Sequence, residues 1–416
     1  MAAGKTIAEK ILGTHSASDA RAGDIVIASA DAAMGHDARL AQTMGLFDDV
    51  GAPRTFTGDV VLVLDHYGPP PSASLADLHR QIRRFGERIS ARVYDIGEGI
   101  CHNLMTERGH VAPGRLVVGT DSHSVTYGAL NCFGTGIESS DFVALLATGK
   151  LWLRVPRTIR IEIVGTFAAG VSAKDITLWL LQRMGEDGAA YSALEFHGAG
   201  FAGMPMDARF TLANHCAELG AKAALAPCDA RARAWLDARG IGPYVAVKPD
   251  ADAQYVETLT CDLGELVPQI AVPHKIDHIM PVGDLTHTRV DVAFIGSCTN
   301  ARVDDLRAAA QTLNGKHIAA GTRLLVNPGS QEVYLEALKI GIIETLVRAG
   351  ATILPPGCGS CVGMNRQYVP ADGEVIISTA NRNFQGRLGN KAASVYIASP
   401  ETVAASAMAG RILGAA

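Results

Sequence analysis

Four apolar runs in this chain each stop on chemically active side chains. VVLVLDH (60–66) ends on Asp65 and His66, and RLVVGTDSH (115–123) ends on Asp121, Ser122 and His123. VDVAFIGSCTN (290–300) ends on Cys298 to Asn300, and GEVIISTANRNF (373–384) runs into Asn381 and Arg382. Short β-branched runs of this kind read as buried strands. Between them lie helical segments such as ADLHRQIRRFGERI (76–89), VDDLRAAAQTLNG (303–315) and QEVYLEALKIG (331–341). Strands alternating with helices predict an α/β protein with mainly parallel sheets. In such sheets the chemistry gathers beyond the carboxyl ends of the strands. The four polar ends are therefore expected to converge on one cleft.

With 416 residues the chain has room for several domains. We place three units, at 1–156, 157–284 and 285–416. VPRTIRIEIVG (155–165) starts a fresh strand, and a proline-bearing stretch at 266–288 reads as a crossing between units. Net charge is −5, which gives no bulk attraction to nucleic acid. The start, MAAGKTIAEKILG, has no apolar run of the secretory kind. Val60–Leu64 and Ile340–Ile343 are far shorter than the ~20 residues of a membrane span. A cytoplasmic protein is expected.

Eight cysteines in a chain this long are too few for a disulfide scaffold. Cys358 and Cys361 form a Cys-x-x-Cys among glycines in PPGCGSCVG, and Cys298 stands at a strand end. Taken alone, the pair reads either as metal or cluster ligands, or else as a redox couple or a loop with two buried thiols. Three candidate thiolates without a fourth are informative. A structural zinc site takes four protein ligands, and a four-iron cluster normally takes four thiolates. Three would leave one iron open as a Lewis acid; a three-cysteine zinc hydrolase is the less natural alternative.

GTDSHSVTYGALNCFGTGIESSD (119–141), GSCTNARVDDL (296–306), PPGCGSCVG (355–363) and TANRNFQGRLG (379–389) resemble the hallmark segments of the aconitase family, in order and in spacing. AEKIL near the start and GICHN (99–103) match as well. The branch resembled is that of the 3-isopropylmalate dehydratase and homoaconitase large subunits. The resemblance implies three α/β/α domains packed around a [4Fe–4S] cluster held by Cys298, Cys358 and Cys361, with Asn300 in support. It implies a hydro-lyase that moves a hydroxyl between neighbouring carbons of a hydroxy acid by dehydration and rehydration. For the branch this means 2-isopropylmalate to 3-isopropylmalate, in leucine biosynthesis. Homocitrate, dimethylmalate, citramalate and maleate-type acids are the alternatives.

Asp65 and His66 fit a proton donor for a departing hydroxide, because a carboxylate keeps the neighbouring imidazole protonated and oriented. By resemblance, His102, Asp121, His123 and Glu218 join them as catalytic residues. Arg382, Arg387, Asn381, Ser122, Asn214 and His36 are then expected on the substrate side, the arginines as carboxylate binders. By the same resemblance, the swivelling fourth domain of single-chain relatives is expected on a separate chain. A small subunit carrying that domain and a catalytic serine is the implied partner, without which the chain should be inactive. Cluster-free relatives that bind RNA as iron sensors are a poor match to the net charge and the intact cysteines, and a mononuclear-metal isomerase of the same fold is a minor alternative. Three departures stand out: Ser360 replaces the usual proline between the cysteines, Ser124 replaces a threonine, and the segment 36–39 (HDAR) lacks the usual Gly-Thr.

Overall fold

The computed structural model describes residues 4–363 and 367–415, without the side chain of Ser360. The first sheet orders the strands Arg92–Tyr94, Asp59–Val63, Ala32–His36, Leu116–Gly119 and Phe133–Gly136, all parallel. Val60–Val63 and Leu116–Gly119 are buried throughout, as parallel strands covered on both faces must be. The second sheet is also parallel, in the order Ala223–Leu225, Ser192–His197, Arg157–Val164 and Glu257–Asp262.

The third sheet has seven strands. Its parallel part runs Ser394–Ile397, Val375–Ser378, Val292–Ile295, Arg323–Val326 and Thr352–Ile353. Gln269–Ala271 adds antiparallel to Ser394–Ile397, and Ile279–Pro281 pairs with it in turn. The third sheet therefore begins upstream of residue 285. Its prolines made this stretch read as a crossing, but Pro281 closes an edge strand, where a missing N–H costs no ladder bond. A separate ribbon pairs Ile25–Ala28 with Leu151–Arg154.

Helices cover the sheets with faces the sequence encodes. Ala73–Arg88 buries His79, Ile82, Phe85 and Gly86, a spacing of three to four residues that makes one helical stripe. It starts ahead of the expected position because the Ser72 side chain caps the N–H of Leu75. One continuous apolar core joins Val61 and Val63 of the first sheet, Ile159 and Ile161 of the second, and Val292 and Phe294 of the third. Cys298, Cys358 and Cys361 lie in that same core, which puts the cysteine loops where the three sheets meet. Among the described residues no helix is long and apolar enough to cross a membrane.

Candidate active site

A cleft of about 730 Å³ opens at that junction. His36, His66, His102, Asp121, Ser122 and His123 line it from the first unit. The three cysteines, Asn381, Arg382 and Arg387 line it from the third. Asp65, Asn214, Glu218 and Asn300 stand behind this surface and act on it through hydrogen bonds.

His66 follows the strand Asp59–Val63, and Asp65 Oδ1 lies 2.8 Å from its Nδ1. The other Asp65 oxygen accepts from the backbone N–H of Cys101 at 2.8 Å. Asp37 fixes the His66 backbone, accepting from the N–H groups of His66 (3.0 Å) and Tyr67 (2.9 Å). Burial works against a charge on His66. The Asp65 charge and hydrogen bonds to Asp121 and Asp65 outweigh it and hold the imidazole well above its usual range. The His36 ring stacks on His66 at 4.0 Å. Burial and the charge on His66 drive His36 down to about 4, so it is neutral. Its Nε2 lies 3.2 Å from the carbonyl of Thr120 and must carry the proton.

Asp121 is the hub of the wall. Its Oδ1 accepts from His102 Nε2 (2.9 Å), His123 Nδ1 (3.1 Å) and the His123 N–H (2.8 Å). Burial opposes its charge, yet the histidines hold its carboxyl well below the ordinary value. His102 is lowered by burial, and its Nδ1 meets the Tyr127 hydroxyl at 3.2 Å. His123 Nε2 reaches Glu218 Oε1 at 2.7 Å. Against burial, the Cys298, Asp121 and Glu218 groups raise His123 to about 10. Burial alone would raise Glu218, but His123 and Arg382 pull it down to about 2. Arg382 Nε donates to Glu218 Oε2 at 2.7 Å and its Nη2 to Ser122 Oγ at 3.1 Å. One charge-alternating chain thus runs from Asp121 through His123 and Glu218 to Arg382.

Cys298 comes off the strand Val292–Ile295 after Ser297, whose φ of 74° turns the backbone through the left-handed region. Cys358 caps and Cys361 ends a single 3₁₀ turn. Gly359 is required in it, because a Cβ would collide with Asn327 Oδ1. The Cys358 N–H donates to the Asp65 carbonyl at 3.0 Å and ties this loop to the His66 wall. All eight cysteines are free thiols. Donors face the sulfurs: Arg387 Nη2 is 3.6 Å from Cys361 Sγ, and Asn381 Nδ2 is 3.8 Å from Cys298 Sγ. The hydrogen bond from Cys358 and the Arg387 charge hold the Cys361 thiol well below its usual range.

Asn381 Oδ1 accepts from Ser297 Oγ (2.5 Å) and Thr299 Oγ1 (2.6 Å), and its Nδ2 donates to Asn214 Oδ1 (2.8 Å). Asn214 in turn donates to Thr126 Oγ1. Both asparagines, expected on the substrate side, are thus tied into the bed of the cysteine loop. Asn300 joins that loop to the following helix through Asp305 Oδ1 at 2.8 Å. Ser124 anchors the turn by donating to the Asp121 carbonyl. The Ser360 side chain lies outside the described residues.

Three cysteine sulfurs facing one cleft, two of them with N–H donors aimed at them, are a donor set that suits an iron–sulfur group. The atoms of His102, His123 and Cys298 are close enough to share a single ion. However, both nitrogens of each histidine are already committed to Asp121, Tyr127 or Glu218, so such an ion would have to break those bonds. Asp37, Tyr127, Lys174 and His215 also belong to the site, without an expectation from the sequence. His36-Asp37 mirrors Asp65-His66 and carried a readable signal; Lys174 and His215 sit on helices where nothing marks them.

A polar, thiol-bearing cleft at the meeting point of three α/β units defines the class of protein, and the comparisons give the family. A family model described as "Aconitase family (aconitate hydratase)" matches residues 69–287 and 283–410. The chain is 45% identical to the 3-isopropylmalate dehydratase large subunit 1 of Methanopyrus kandleri, over 98% of both chains. It is 41% identical to the probable methanogen homoaconitase large subunit of Methanosarcina mazei, over 93% of this chain and 98% of the relative. Thermococcus kodakaraensis aconitase X shares the fold with a TM-score of 0.56 at 11% identity, covering 92% of this chain and 90% of that one. The chain belongs to the aconitase family, whose membership implies an iron–sulfur cluster.

Proposed function

We propose that this chain is the large subunit of a two-chain hydro-lyase that converts 2-isopropylmalate to 3-isopropylmalate by dehydration and rehydration. The observation that carries the reading is the convergence, in one cleft, of three free thiols, a protonated His66 and the Arg382 guanidinium. Full-length matches to relatives named as large subunits of this enzyme support the substrate. Cys298, Cys358 and Cys361 would hold a [4Fe–4S] cluster, which would supply a Lewis acid to the substrate hydroxyl.

The rest of the work falls to side chains. His66 is the acid that protonates the departing hydroxyl, and Asp65 keeps it charged and aimed. Asp121 orients His102 and His123 around the same point. Arg382, braced by Glu218 and Ser122, presents its guanidinium to a substrate carboxylate, and Arg387 lies beside Cys361 for a second contact. The base that removes the carbon-bound proton is a serine on the small subunit, whose swivelling domain closes the cleft. The cytoplasm, where thiols stay reduced, suits eight free cysteines.

A homocitrate-type substrate is the second reading, and Arg39 favours it. This residue lines the cleft mouth, is exposed, and has no ion pair among the described residues, so it is free to meet a third carboxylate. The experiment is to reconstitute the chain anaerobically, add a small subunit, and assay isopropylmalate, homocitrate, dimethylmalate, citramalate and maleate. Turnover of isopropylmalate only with both subunits is expected. Turnover by this chain alone would overturn the two-chain reading, and preference for homocitrate would overturn the substrate.

A further inference from the structure

One buried cation behind the cleft has no part in the chemistry above. Lys174 stands in the first turn of the helix Ala173–Met184, and its side chain is 0% exposed. Its Nζ donates to the carbonyl oxygens of Thr379 (3.0 Å) and Ala380 (2.9 Å). The next carbonyl, that of Asn381, faces His215 Nε2 at 3.2 Å. Three successive carbonyls leading into Arg382 are therefore gripped from the second unit.

A buried ammonium is costly unless charge balances it. Lys174 makes no ion pair among the described residues; its polar partners are the two carbonyls. Asp175, its neighbour in sequence, is turned to the backbone N–H groups of Ser172 and Gln269. His215 cannot compensate, because burial and then the Lys174 charge itself keep it neutral. Burial lowers Lys174 to about 7, while the groups that draw a positive charge to it are Cys298, Glu218, Cys361 and Asp305, in that order. Two of these four are the candidate cluster ligands, and a third braces Arg382.

We infer that Lys174 is the counter-cation of the cysteine-held centre: from behind the cleft wall it balances the thiolate charge and holds the Asn381–Arg382 segment in place. It is a positioning residue that touches no substrate. The inference rests on the reading that these cysteines hold an iron–sulfur cluster. Cluster potentials respond to nearby charge and hydrogen bonding. Removing the cation must therefore make the cluster harder to reduce.

The test is a reductive titration of the anaerobically loaded protein at pH 6, where the Lys174 ammonium is charged, followed by electron paramagnetic resonance. Lys174→Met should lower the cluster potential until reduction is about tenfold less favourable, 59 mV for one electron, whereas Lys174→Arg should stay near wild type. An unmoved potential in loaded Lys174→Met overturns the inference. If Lys174→Met takes up no iron, Lys174→Gln decides, since an amide can donate to the carbonyls without charge. Loaded Lys174→Gln at the wild-type potential overturns the inference; a lowered potential supports it. Loss of iron from Met and Gln variants, with retention by the Arg variant, also supports it. Loss from all three means that shape and not charge is needed, and overturns it. A wild-type chain that takes up no cluster overturns the underlying reading and this inference together, and is distinguished by that first control.

Discussion

The first and third units deliver most of their chemistry from strand ends, with His102 on the helix Cys101–Glu107 as an exception, and the second delivers it from helices. His36, His66 and Asp121 follow strands of the first sheet, and Cys298 and Asn381 follow strands of the third. The second unit contributes Lys174 from the helix Ala173–Met184, Asn214 and His215 from the helix Met206–His215, and Glu218 from the turn Cys216–Leu219. The division is also one of roles. Most of these strand-end residues line the cleft, whereas these four second-unit groups lie behind it and hold others: Glu218 braces His123 and Arg382, and Asn214 braces Asn381. Strand ends place side chains in a shared opening; helices packed against that opening fix where those side chains point.

Substitutions on the two sides should separate accordingly. The largest effect belongs to the third sheet: Cys358→Ser should abolish iron retention, read as iron per chain after anaerobic reconstitution. Unchanged iron would remove Cys358 from the ligand set. Next comes the first sheet, where His66→Asn should lower kcat by about 10²–10⁴, the range of a general acid, with KM little changed. A rise in KM with kcat unchanged would move His66 from acid to binder. Asp65→Asn should follow it more weakly, because the carboxylate acts through the imidazole.

On the second-unit side, Glu218→Gln leaves His123 and Arg382 without their shared carboxylate. We expect a loss of about 3 kcal/mol, toward the low end for a buried pair because the Arg382 side chain is one-third exposed. The loss should depend on pH. Glu218 falls from 4.5 to about 2 on folding, so its contribution is present above pH 4.5 and fades as pH drops toward 2. His123 rises from 6.5 to about 10, so its contribution is present below pH 6.5 and fades as pH climbs toward 10. The gap between wild type and Glu218→Gln in denaturant midpoints should therefore be widest near pH 5–6 and narrow on both sides. A pH-independent gap would mean that the pair is not charged. The smallest effect should come from Asn214→Ala, about 1–3 kcal/mol, because the Asn381 amide loses its acceptor while the Thr126 hydroxyl keeps its bond to the His123 carbonyl.

The same division explains what the sequence reveals. Apolar runs stopping on Asp-His, Asp-Ser-His or Ser-Cys are local signals, so the strand-end residues could be named and their convergence anticipated. Lys174 in SAKDIT and His215 in ANHC look like ordinary helix residues, because their burial is set by packing against a segment more than 160 residues away. Asn214 and Glu218 were recognisable only through the family resemblance, and their bracing duty depends on partners in other units. The stack of His36 on His66 is a contact between neighbouring strands that no spacing records. The stretch at 266–288 shows the opposite limit: prolines that signal a linker also suit the edge of a sheet.

The central claim is that the cysteines of the third sheet hold a cluster with one iron left open to the substrate facing His66. Mössbauer spectroscopy of the ⁵⁷Fe-reconstituted chain with its small subunit tests this directly. The account predicts about four irons per chain, one of them spectroscopically distinct and shifted when isopropylmalate is added. Four irons that ignore the substrate, or a colourless protein holding zinc alone, would contradict it.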